Sequence, residues 1–165
     1  MDFNEIKNLL TEKFGTEVLK GTETSGLQPA LIIDPVFIVE VCKELRDNPN
    51  TWFDFLSCLS GVDFGVQDTR FAVVYHLASI PHKLQLVLKT IKEHDRNSEE
   101  LPSFLSVAEV WRTAEWHERE AYDLFGIYFE GHPDLRRILL PDDWEGYPLR
   151  KDYQAAEEYK GIKID

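Results

Sequence analysis

The side chains able to do chemistry gather between Glu115 and Asp134. His117, Glu118, Glu120, Asp123, His132 and Asp134 could together ligate a metal, and Glu118 with Glu120 could serve as an acid and a base. The spacing argues against both. A metalloprotease helix sets two histidines at i and i+4, because that spacing points both imidazoles at one ion. His117 has no histidine at that distance, and His132 lies beyond Gly126, where the helix is expected to end. Side chains two apart on a helix do not face each other, so Glu118 and Glu120 make a poor acid–base pair. A free-standing metal-dependent hydrolase built on Glu118, Glu120 and His132 is therefore the weaker reading.

Pairing of charges suits the spacing better. Glu115, Arg119 and Asp123 follow one another at i, i+4 and i+8, which sets Arg119 between two carboxylates on one helix face. Glu118, Tyr122 and Phe125 form a second stripe, and Trp116, Glu120 and Leu124 a third. An unpaired buried charge is costly, so the glutamates are expected to receive cations from elsewhere, with Arg136 and Arg137 as bidentate donors. His132, before Pro133, is expected to fix a turn by a hydrogen bond, although a histidine can also report pH or pair with a carboxylate. His76 is expected as a satisfied sheet residue, and His82 and His94 as turn and loop residues.

The segment after Gly126 is long, charged, aromatic and broken by Pro133, Pro141, Gly146 and Pro148. It cannot bury a face of its own, so it is expected to dock along a surface of its own domain or of a partner. Trp144, beside Pro141-Asp142-Asp143, is the expected interface anchor, because buried Trp and Arg often dominate binding energy. Gly146, Pro148 and Arg150 would shape and orient the same arm.

The order Glu118-Arg119-Glu120-x-x-Asp123-Leu124-Phe125, six residues, His132, three residues, Arg136-x-Ile138-Leu139 resembles the signature of one family. That family is the C subunit, or thirty-kilodalton subunit, of respiratory complex I, NADH:quinone oxidoreductase. Gly146-x-Pro148-Leu149-Arg150-Lys151-Asp152-Tyr153 fits the same family, with Gln154 where such chains usually carry Pro. The resemblance implies a mixed sheet covered by helices, followed by an extended C-terminal arm. It further implies a cofactor-free structural subunit in the peripheral arm of a proton-translocating enzyme. FMN, iron–sulfur clusters, NADH and quinone would belong to other subunits. The chain would pack against the D (forty-nine-kilodalton) quinone-site subunit and reach towards the B and I iron–sulfur subunits. It would sit peripherally on the cytoplasmic side of the inner (plasma) membrane. Glu118, Arg119, Glu120, Asp123, His132, Arg136, Arg137, Trp144, Arg150, Lys151 and Asp152 are the expected structural and interface residues. The motif also fits the equivalent subunit of a membrane-bound hydrogenase or of a quinone oxidoreductase fed by another donor.

Composition agrees with a protein that carries no redox group. Cys42 and Cys58 are the only cysteines, whereas an iron–sulfur cluster normally needs four thiolates, and no CxxC pair occurs. They are expected as buried thiols rather than a disulfide. No glycine-rich nucleotide or dinucleotide loop is present. The net charge of −12 disfavours nucleic acid and anionic lipid, and fits solubility or basic partners. No apolar run reaches the length of about 18 residues that a membrane span requires. MDFNEIKNLL lacks the basic start and apolar stretch of a signal peptide, so the chain is expected to stay where it is made.

The elements expected to position these residues form an α+β, two-layer fold. Phe3, Ile6, Leu10 and Phe14 predict a helix ending at Gly15. Thr16–Lys20 and Pro29–Ile33 predict short strands, and Asp34-Pro35 caps a helix through Leu45 that Asn48-Pro49-Asn50 stops. Thr51–Leu59, dense in apolar residues, predicts a short helix leading into a strand at Gly61–Val66. Phe71–Ala78 and Lys83–Lys92 alternate as strands and complete an antiparallel meander. Lys92–Pro102 reads as a solvated loop. Ser106–Glu109 reads as a capping box opening a short helix, and Thr113 as the cap of the helix bearing Glu118. The division expected is an α+β domain over residues 1–130 and a docking arm over residues 131–165.

Overall fold

The computed structural model describes residues 1–155 and 157–163. Helix α1 (Phe3–Phe14) opens with a reciprocal capping box, in which Asp2 accepts from the Glu5 amide and Glu5 from the Asp2 amide. Both amides would otherwise be left open at the helix start. Ile6 and Leu10, one turn apart, face the core, and Gly15 at φ 88° ends the helix. Strands β1 (Leu19–Glu23) and β2 (Ala30–Ile33) follow as an antiparallel pair. Asp34 then caps a 3-10 turn at Pro35–Phe37 by accepting from the Val36 amide, and the chain continues into α2 (Ile38–Asp47). Ile38, Val41, Cys42 and Leu45 recur at helical spacing and are all buried.

Thr51–Leu59 is not a helix. Strand β3 (Phe55–Asp63) begins inside it and takes in only the first half of the strand expected at Gly61–Val66. An apolar run of this length reads the same for a buried helix and a buried strand. Here Leu56 is buried between exposed Phe55 and Ser57, the alternation of a strand. Trp52 precedes it at φ 38°, a conformation that a bulky side chain adopts only when its surroundings impose it. Strands β4 (Arg70–Ser79) and β5 (Leu84–Glu93) complete the meander, paired from Arg70↔Glu93 to Ser79↔Leu84.

The sheet runs β1-β2-β5-β4-β3, with β2 parallel to β5 and the other pairs antiparallel, so it is mixed as expected. Phe71, Val73, Tyr75 and Leu77 of β4, with Leu86 and Leu88 of β5, share one core with the buried faces of the helices. Fully burying each of the larger apolar side chains contributes about 1.5–3 kcal/mol. Cys42 lies in this core, whereas Cys58 is half-buried against the Ser60 hydroxyl; both are free thiols, so the expected burial holds for Cys42 alone.

Two strands flank the last helix. Strand β6 (Ser103–Leu105) pairs in parallel with β7 (Tyr128–Glu130), and α3 (Ala114–Phe125) makes the crossover that parallel strands require. Ser106–Glu109 does not open a helix: residues 108–110 form a turn, and the Ser106 hydroxyl donates to Glu118 rather than joining Glu109 in a capping box. Gly126 ends α3 in the left-handed conformation at φ 65°, as its position predicts. From Gly131 the chain turns back along α3, and a short hairpin of β8 (Glu158–Tyr159) and β9 (Ile162–Lys163) closes the described part.

Candidate functional site

Helix α3 presents its acids to two segments that flank it. Glu118 is fully buried; it accepts the Ser106 hydroxyl at 2.6 Å and the Val107 amide at 2.8 Å. The loop after β6 is thereby pinned to the helix. Burial pushes the Glu118 carboxyl up to about 7, against these two hydrogen bonds, and neighbouring Glu115 adds to the rise. The arginine expected to meet Glu118 does not: its partners are a hydroxyl and an amide.

Asp123 is the centre of the arrangement. One carboxylate oxygen accepts from the amides of Ile138, Leu139 and Leu140 at 3.0, 2.7 and 2.9 Å. The other accepts from Arg137 at 2.7 Å. Burial alone would raise this carboxyl, but the Leu140 amide, Arg137 and the Leu139 and Ile138 amides together hold it below its ordinary value. Arg137 also donates to the carbonyls of Trp144 and Gly146, both at 3.0 Å. Arg137 therefore serves Asp123 and the arm, not Glu120, which is exposed and makes no ion pair among the described residues.

Arg119 does not sit in a clamp of Glu115 and Asp123. It donates to the carbonyls of Arg136 and Arg137 at 3.1 and 2.9 Å, and lies over the Trp116 ring at 5.5 Å. Arg136 pairs with Asp134, both well exposed, instead of with a glutamate of α3. His132 does fix the turn. Its Nδ1 accepts from the Asp134 amide, which leaves Nε2 to donate to the Glu115 carbonyl, each at 3.0 Å. Thr113 begins α3 without a side-chain cap; its hydroxyl reaches towards the Leu56 carbonyl.

A second anchor holds the arm further along. Asp63, at the end of β3, accepts from the Lys151 amide at 2.9 Å, the Gly65 amide at 2.9 Å and the Arg96 guanidinium. Burial raises the Asp63 carboxyl, but Arg96 and the two amides outweigh it and hold the carboxyl low. Asp152 receives Arg150 at 3.0 Å and Arg96 at 3.3 Å. Both guanidinium groups lie against the Phe71 ring, 4.8 Å for Arg96 and 5.4 Å for Arg150. Arg96 and Asp63 went unnoticed in the sequence, where Arg96 is one charge in a loop that reads as solvated; here its side chain is only 10 % exposed. Trp144 is half-buried against the Tyr159 ring at 5.2 Å.

The chemistry open to this arrangement is mooring. Glu118 is buried and Glu120 exposed, and both ring nitrogens of His132 are engaged, so the three do not converge on a common point. Among the described residues no group of three or more His, Cys, Asp or Glu side chains is placed to hold a metal. Glu118 instead binds the Ser106 hydroxyl and the Val107 amide, Arg119 and Asp123 bind main-chain groups of residues 136–140, and Arg137 binds the carbonyls of residues 144 and 146.

Known proteins resemble this chain over most of its length. The family model described as "Respiratory-chain NADH dehydrogenase, 30 Kd subunit" matches residues 31–159. A protein named as the C subunit of NADH-quinone oxidoreductase, from Chloroherpeton thalassium, is 46% identical over 158 residues, covering 94% of this chain and 62% of its own length. One of the same name from Chlorobium phaeobacteroides is 41% identical over 160 residues, covering 95% of this chain and 92% of its own. The chain thus spans less than two thirds of the first relative and nearly all of the second. In a solved structure titled as the membrane-bound sulfane sulfur reductase, an archaeal respiratory membrane complex, one chain superposes with a TM-score of 0.72 at 23% identity. That superposition covers 92% of this chain and 85% of the other, and shows a common fold.

Proposed function

The chain belongs to the family of the respiratory-chain NADH dehydrogenase 30 Kd subunit, and on that footing we propose that it is a structural subunit in the peripheral arm of a proton-translocating NADH:quinone oxidoreductase, with no catalytic group of its own. One observation carries the structural part of this reading. Glu118, Arg119, Asp123 and Arg137 spend their hydrogen bonds inside the chain, where the last three fix the path of the arm. The roles these contacts support are positional: they set where the arm runs. FMN, iron–sulfur clusters, NADH and quinone belong to the neighbours in this proposal, and this chain fixes how those neighbours stand.

The partners follow from the same footing. The D subunit, which carries the quinone site, would lie against this chain, and the arm would reach the B and I subunits. Attachment to the cytoplasmic side of the membrane would be indirect. That accords with a chain in which no described helix is long and apolar enough to cross a membrane.

The test is to tag this chain in its native cell, solubilise the membranes in mild detergent, identify what co-purifies and assay NADH:quinone activity. A large assembly with flavin and cluster-bearing subunits is the expected result. An assembly carrying a hydrogenase or another donor module would replace the donor and keep the structural role. Recovery of the chain alone would overturn the proposal.

A further inference from the structure

Three large apolar side chains stand out from the surface along α3: Trp116, Leu139 and Leu149, at 61%, 63% and 47% exposure. They come from segments far apart in sequence, and the mooring of the arm brings them to one helix. Trp116 lies in the first turn of α3. The Leu139 amide is bound by Asp123, seven residues on, or about 10 Å along the axis at 1.5 Å per residue. The Leu149 amide donates to the carbonyl of Leu124, the next residue, at 2.9 Å. The backbone at both leucines is held by its amides, and the Arg119 guanidinium lies over the Trp116 ring.

We infer that Trp116, Leu139 and Leu149 form a preformed docking stripe for a neighbouring subunit that offers an apolar centre rimmed by lysine or arginine. The inference rests on the subunit reading above and deepens it by assigning the surface and the partner's chemistry. A surface whose backbone is set in advance has no loop to order on binding, which removes one of the usual costs of association. The rim sets the sign of the partner. Glu115, Glu120 and Asp142 make no ion pair among the described residues and Arg136 is neutralised by Asp134, so the three carboxylates outweigh the charge of Arg119, which donates only to neutral carbonyls. Carboxylates around an apolar centre favour a basic rim opposite. The same carboxylates disfavour a second copy of this chain, since two acidic rims would meet.

The experiment uses the tagged chain in its native complex. Trp116→Glu combined with Leu139→Glu is compared with Leu27→Glu combined with Val36→Glu, two exposed positions outside the stripe. The stripe variant is expected to recover about ten-fold less of the co-purifying subunits, the effect of losing one dominant contact, while the control recovers them fully. Each purified variant chain should melt where the unaltered chain does. A photo-cross-linking amino acid at Leu139, which leaves the fold untouched, should join to another subunit at an apolar segment flanked by Lys or Arg. Equal assembly by stripe and control variants, or a cross-link to a second copy of this chain or to an acidic segment, would overturn the stripe alone. Failure of the unaltered chain to bring any subunit with it would instead remove the subunit reading, and the stripe's partner with it.

Discussion

Arg137 binds Asp123 twice, donating to its carboxylate at 2.7 Å and to its main-chain carbonyl at 3.2 Å. With the same guanidinium on the carbonyls of Trp144 and Gly146, one side chain ties the end of α3 to the chain beyond Pro141. The pair is enclosed, 13% exposed on the arginine and 0% on the aspartate. Removing one partner of a buried pair costs about 3–5 kcal/mol, because the other charge is left uncompensated. Arg137→Met should therefore lower the urea midpoint and speed protease cleavage within residues 131–153. A double-mutant cycle should find strong coupling of Arg137 to Asp123 and none to Glu120; coupling to Glu120 instead would contradict the structure.

Glu118 makes stability depend on pH near neutrality. Its carboxyl is raised in the fold from 4.5 to about 7, so between those values the folded chain holds a proton that the unfolded chain has released. The folded state binds more protons there, and stability falls as pH rises through this window, by about 3 kcal/mol at most. Glu118→Gln keeps a neutral group in place. Its urea midpoint should vary less between pH 5 and 8 than that of the unaltered chain, and an unchanged slope would refute the assignment.

The acid side should behave oppositely. Asp63 and Asp123 are both held below the ordinary value of 3.8. Their contribution is complete above that value and is lost as pH falls through their lower folded values. Asp63→Asn should weaken the dependence of stability on pH below 4 and leave the slope near neutrality intact. Unfolding curves collected from pH 2 to 8 separate the two groups.

Gly126 tests whether the arm lies where the hydrogen bonds put it. At φ 65° any other residue is strained, by about 1–2 kcal/mol. A Cβ there would also stand 2.6 Å from the Tyr147 ring. Gly126→Ala should cost more than the backbone strain alone. Combining it with Tyr147→Ala should give a loss smaller than the sum of the two single changes. Simple additivity, measured by chemical denaturation, would show that the ring is not seated against Gly126 in solution.

The elements that the sequence reading placed well are those whose signal is local. The Asp34 cap with Pro35, the alternation of β4 and β5 and the left-handed Gly126 each depend on a few neighbouring residues. Thr51–Leu59 failed because apolar density alone does not separate a buried strand from a buried helix. In the site, His132 was legible because its partners lie in its own turn and one α3 carbonyl. Arg119 and Glu118 were not, because helical spacing reveals only which side chains share a face. Their partners are main-chain carbonyls, an amide and a hydroxyl from other segments, which no spacing rule brings into view. Arg96 carries no local signal at all: its role exists only once β3 delivers Asp63 to the arm.

Asp123 takes hold of residues 138–140 through their amides, and an amide is the same for every residue except proline. The helix thus addresses a stretch of chain without reading what that stretch says. Mutation can rewrite the exposed side chain at Leu139 without unmooring the path beneath it, proline alone being barred. One branch of the family could then retune its outward face to a changing neighbour, while the framework that displays it is inherited unaltered.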